Sequence, residues 1–98
     1  MTINLERQSD TLTVTLSGRL DTTTAPQLEA SLKQNLGDAK ELVMDMSAVE
    51  YVSSAGLRVL LAAQKVMNKQ GSMVLRGVQG PVMEVFEITG FSDILTIA

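Results

Sequence analysis

Apolar and polar residues alternate at the start of the chain: Ile3 and Leu5, then Leu12, Val14 and Leu16, with the polar stretch RQSD between the two sets. A period of two puts one side of an extended segment in a core, so residues 2–6 and 11–17 predict a hairpin that ends at Gly18. The period then changes. In TAPQLEASLKQNLG, Leu28, Leu32 and Leu36 recur every four residues along one stripe. Thr24 and Gln27 have capping-box spacing, Pro26 falls in the first turn and Gly37 past the last, which predicts an amphipathic helix near 25–36.

ELVMDM at 41–46 is nearly continuous in apolar character, the pattern of a central strand covered on both faces. LRVLLAAQKVMNKQG follows as a helix, its apolar face opened by Leu57, Leu60 and Leu61, extended by Val66 and Met67, and closed at Gly71. SMVLRG predicts another strand, GPVMEVFEITG a helix from Pro81 to Gly90, and ILTI a short final strand. The order β, β, α, β, α, β, α, β contains two strand–helix–strand passages, hence right-handed crossovers and parallel pairing. The fold class expected is a single small α/β domain over residues 1–98. Its mixed sheet is mostly parallel with an N-terminal hairpin, and its helices pack largely on one side.

Composition narrows the chemistry. The 98 residues suffice for one core, and 45% apolar with 19% charged residues describes a folded domain. Net charge is −3, with eight basic residues scattered singly and three aromatics, which argues against nucleic-acid binding. There is no cysteine and no histidine, so thiolate or imidazole metal sites, disulfides, thiol nucleophiles and histidine-based triads are excluded. No cofactor is expected. The N-terminus lacks a basic and apolar leader, no apolar run approaches the roughly 20 residues of a membrane span, and a cytoplasmic protein without membrane insertion is the expectation.

The stretch YVSSAGLRVLL, 51–61, sets two serines and a glycine between a strand end and a leucine-rich helix. In open α/β sheets, functional groups collect at such carboxyl edges, where helix-start N–H groups point outward. Three readings apply to the hydroxyl pair. Ser53 or Ser54 caps the helix while Gly56 lets it pack closely. Alternatively a serine is a nucleophile, which fails for want of a base and of the G-x-S-x-G flanks. In the third, a serine accepts a phosphoryl group, whose charge suits a helix N-terminus. Capping and phosphorylation are compatible.

SGRLDTTTAPQLEASL, LVMDMSAVEYVSSAGLRVLL and KQGSMVLRGVQGPVMEVFEITGF, in this order and spacing, resemble the bacterial anti-sigma-factor antagonists, the family that gives the STAS domain its name. The resemblance runs from about Ile3 to Ile97. It implies a binding switch: the unphosphorylated antagonist binds an anti-sigma factor that is also a serine kinase, and a sigma factor is freed. The kinase phosphorylates the antagonist, which lets go, and a metal-dependent serine phosphatase restores it. By motif position the acceptor falls on Ser54, with Ser53 second, and Asp21 falls at the family's L-D position near the same surface. The best-known antagonists carry an aspartate directly before the acceptor, where this chain has Ser53.

The leading expectation is therefore a non-catalytic, phosphorylation-switched binding module with a partner surface of Asp21, Thr22, Thr23, Tyr51, Ser53, Ser54, Ala55, Gly56 and Arg58. Structural alternatives stand beside it: a turn before the first helix for Asp21 and the threonines, a solvated helix face for Arg58, a core-packed ring for Tyr51. Asp45 either meets solvent at the sheet edge or anchors the following turn. Two other functions compete, a STAS subunit bracing a lipid-transport ATPase and a small-ligand receptor using the N–H groups of Ala55 and Gly56 as an anion nest.

Overall fold

The structure, a computed structural model, describes all 98 residues. Strands β1 (Thr2–Gln8), β2 (Thr11–Leu20), β3 (Glu41–Val52) and β4 (Ser72–Arg76) form one sheet in the order β1-β2-β3-β4. β1 and β2 are antiparallel, and β2–β3 and β3–β4 are parallel. Helices α1 (Ala25–Asn35) and α2 (Ser54–Gln70) make the two parallel crossovers, and α3 (Gly80–Thr89) follows β4.

Alternation in β2 buries Leu12, Val14 and Leu16 on one face, where Leu42, Met44, Met73 and Leu75 continue the layer across the sheet. Leu28 and Leu32 of α1, Leu57, Leu60 and Met67 of α2, and Val82 and Phe86 of α3 join the same cluster. All three helices therefore cover one face. The other face carries the rows Thr13–Val43–Val74 and Thr15–Asp45–Arg76, of which only Val43 is buried.

Four local expectations change. β2 continues through Gly18, which adopts φ +98°, to Leu20. β3 runs on to Val52, six residues beyond 46, because two bulges alter its period. Met46 and Ser47 together stand opposite Leu16, and Glu50 is extra between the pairs Gly18–Val49 and Arg19–Tyr51. Buried positions consequently step from 42, 44 and 46 to 49 and 52, and Val49 and Val52 stay in the core. Asp45 anchors the first bulge: its Oδ1 accepts from the Ser47 amide at 3.0 Å and the Ser47 hydroxyl at 2.7 Å. These bonds, the amide first, hold the Asp45 carboxyl below its ordinary value.

The segment ILTI is not a strand; it touches the sheet through a single parallel bridge, Leu75 to Ile97, after a short 3-10 turn at Phe91–Asp93. Val66 is not part of the buried face of α2. It is 43% exposed, on the side turned to α1. At the far end of α2, Gly71 has extended backbone and passes against the Lys40 carbonyl, a position no side chain could share.

Candidate functional site

The site is built at the carboxyl edge of the sheet, where β2 and β3 deliver the chain into α1 and α2. Between Leu20 and α1, the Asp21 carboxylate folds back on its own turn. Its Oδ1 accepts from the amides of Thr23 at 3.0 Å and Thr24 at 3.1 Å. The Thr24 hydroxyl donates to the Arg19 carbonyl at 2.7 Å and accepts from the Asp21 amide at 2.9 Å. The capping box expected of Thr24 and Gln27 is therefore absent, since the Thr24 hydroxyl is committed to the strand end. Bonding from the Thr24 amide lowers the Asp21 pKa below its ordinary value; burial opposes it as the next largest influence, and the Thr23 amide, the Thr24 hydroxyl and the Arg19 charge add smaller lowering effects. Asp21 is ionised throughout the physiological range, and most of its bonding capacity holds the turn.

α2 starts differently. The helix begins at Ser54, so Ser54 to Gly56 form its first turn rather than a loop ahead of it. Ser53 is the N-cap: its backbone is extended, its amide donates to the Leu20 carbonyl at 2.9 Å, and its hydroxyl accepts from the Gly56 amide at 3.4 Å. Ser54 is exposed and has no part in the cap. Gly56 is buried beneath this turn, where a Cβ would lie 2.7 Å from the Leu20 side chain and 3.0 Å from its carbonyl oxygen. Gly56 cannot reach a partner; it sets how closely the serine turn sits on the strand edge.

Apart from Thr23, which is exposed with its amide bonded to Asp21, the remaining candidates fall into two groups around these turns. Thr22, Ala55 and Arg58 line one groove between the helix starts, together with Ala25, Pro26, Glu29 and Val59. Tyr51 is 39% exposed rather than packed in the core, and the Arg19 guanidinium lies over its ring at 4.2 Å while approaching Asp21 Oδ2 at 3.7 Å. Such a stack presents a flat amphipathic surface beside the serine turn. Sequence reasoning missed Arg19 and Glu29. Arg19 meets Tyr51 only through the parallel register beyond the second bulge, and Glu29 and Arg58 line one groove only because α1 and α2 lie side by side.

The family model described as "STAS domain" matches residues 2–98. Over 100 residues the chain is 37% identical to BtrV of Bordetella bronchiseptica, covering all of this chain and 86% of that protein. It is 34% identical over 94 residues to the anti-sigma-B factor antagonist of Listeria monocytogenes, covering 94% of this chain and 82% of that one. The chain belongs to the STAS family of anti-sigma-factor antagonists. A crystal structure of an anti-sigma factor antagonist from Mycobacterium paratuberculosis superposes with a TM-score of 0.87 at 30% identity, over 98% of this chain and 83% of that one. For this STAS domain the four-stranded mixed sheet with three helices is thus the family fold, and the related proteins are regulators of sigma-factor control. No helix is long and apolar enough to cross a membrane.

Proposed function

We propose that this STAS domain is a phosphorylation-switched, non-catalytic antagonist: unphosphorylated, it binds an anti-sigma factor that is also a serine kinase, and so releases a sigma factor. Ser54 is the acceptor. The observation that carries this reading is the division of labour between the adjacent serines, with Ser53 capping α2 and Ser54 exposed beside it. A phosphate adds about 1.5 to 2 negative charges at neutral pH, and on the first residue of a helix that charge is compatible with the fold. It is incompatible with an interface that must dehydrate the same turn. Folding persists while binding ends.

The partner surface comprises the serine turn, Thr22, Thr23 and Arg58 at the helix starts, Ala55 between them, and the Arg19–Tyr51 stack with the outward edge of Asp21. A metal-dependent serine phosphatase in the cytoplasm reverses the modification. Incubating the protein with its kinase and ATP tests the reading by intact mass. One added phosphate on wild type and none on Ser54→Ala is expected. Modification that survives in Ser54→Ala, or a pull-down that recovers a lipid-transport ATPase in place of a kinase, overturns it.

A further inference from the structure

Arg58 is the one charged side chain in the serine-turn groove whose place the fold does not explain. The ion pairs of the molecule are Arg7–Asp38, Arg19–Asp21 and Lys33–Glu29, and Arg58 is in none of them. Its position in α2 is four residues beyond Ser54, and both are exposed. Residues at this spacing are neighbours on one face of a helix, with Cβ atoms roughly 5 to 6 Å apart, and an acid placed N-terminal to a base is the favourable order. Helical side chains lean toward the N-terminus, so a side chain at position 58 is within reach of the turn that holds Ser54. The planar fork of Arg58 suits a phosphate, and no ion pair now engages it.

We propose that Arg58 is the intramolecular partner of a phosphate on Ser54. The proposal rests on Ser54 as the modified residue and adds what happens to that charge: Arg58 clasps it across one helical turn. Unmodified, Arg58 borders the groove opposite Glu29, whose carboxylate is held only loosely by Lys33 at 3.9 Å. A phosphate offers Arg58 more charge and more acceptor oxygens than the Glu29 carboxylate, with which Arg58 forms no ion pair. Modification therefore changes the binding surface twice, by adding an anion and by withdrawing the cation of Arg58 from the partner.

The test uses the full chain with phosphoserine installed at position 54 during translation, so that no kinase takes part. Phosphorus NMR then follows the second ionisation of the phosphate in wild type, Arg58→Gln and Arg58→Lys. With Arg58 as partner, this pKa lies about 0.5 lower in wild type than in Arg58→Gln, the small end of charge-induced shifts because the pair is exposed. Arg58→Lys falls between, and the differences collapse near 1 M salt, where screening reaches about 3 Å. Equal pKa values in wild type and Arg58→Gln overturn the pairing, as does a difference that 1 M salt leaves intact. Should Arg58→Gln not fold, Arg58→Ala takes its place, and a phosphate pKa equal to wild type in that variant overturns the pairing as well. The two proposals fail separately: no kinase product on Ser54 defeats the switch, whereas equal phosphorus titrations defeat only the clasp.

Discussion

The starts of α1 and α2 stand side by side at the same sheet edge, yet they use their polar side chains in opposite ways. Before α1, Asp21 and Thr24 spend their oxygens on four local bonds to Thr23, Thr24, Asp21 and Arg19 main-chain groups. Before α2, one hydroxyl does the capping and its neighbour is left exposed. A saturated turn is a rigid support and a poor site for modification, because any change there breaks bonds that hold the helix. The turn with a spare hydroxyl can be altered without cost to the fold. Adjacent, they make a fixed wall beside the turn that we propose is switched.

The largest structural effect expected at the serine turn comes from beneath it. Gly56→Ala forces a Cβ into the Leu20 side chain and carbonyl, and should destabilise the domain by about 1 to 3 kcal/mol in denaturant unfolding. The alanine pair comes next. Ser53→Ala removes the cap and should lose about 0.5 to 1 kcal/mol, the lower part of the capping range since the 3.4 Å bond is long. Ser54→Ala should remain within about 0.5 kcal/mol of wild type, as for a surface site. Reversal of that order would assign the cap to Ser54 and erase the contrast between the serines.

The saturated turn is tested by acid. Asp21 has a folded-state pKa below its ordinary 3.8. The ionised form is therefore favoured by folding, and its contribution is complete above the unfolded value and lost as pH falls through the folded one. Asp38 and Asp45 shift in the same direction and lose stability in the same window. Asp21→Asn keeps a carbonyl acceptor for the turn, so wild type minus variant isolates the Asp21 share. That difference should be flat above about pH 5 and shrink toward about pH 2 in thermal melts, and a difference independent of pH would show the carboxylate to be unbonded.

The hairpin, the three helices and the parallel crossovers were legible in the sequence because each rests on a regular period. What lay hidden is irregular. The bulges at Met46–Ser47 and Glu50 shift the buried positions of β3 to steps of three, so the alternation that marks a strand stops at 46 although the strand does not. Capping-box spacing at Thr24 and Gln27 is real in the sequence but loses to a stronger competitor, since Asp21 takes the Thr24 amide that Gln27 would reach and the Thr24 hydroxyl turns to Arg19. ILTI has strand composition, yet the sheet gives it only one bridge. At the site, the serine turn could be located from residue types alone. The Arg19–Tyr51 stack could not, because it depends on a register that the bulges set.

The central claim, that Ser54 carries the switch while Ser53 carries the cap, is tested most directly by Ser54→Asp. Its melting temperature and its affinity for the proposed partner, an anti-sigma factor that phosphorylates the wild-type chain in the mass assay, are measured on one preparation. An acid on the first turn of α2 is tolerated or favoured by about 0.3 to 1 kcal/mol, so the melting temperature should equal or slightly exceed that of wild type. A charge dehydrated without a partner in an interface costs several kcal/mol, so affinity should fall by about a hundredfold or more. Unchanged affinity at unchanged stability would contradict the account.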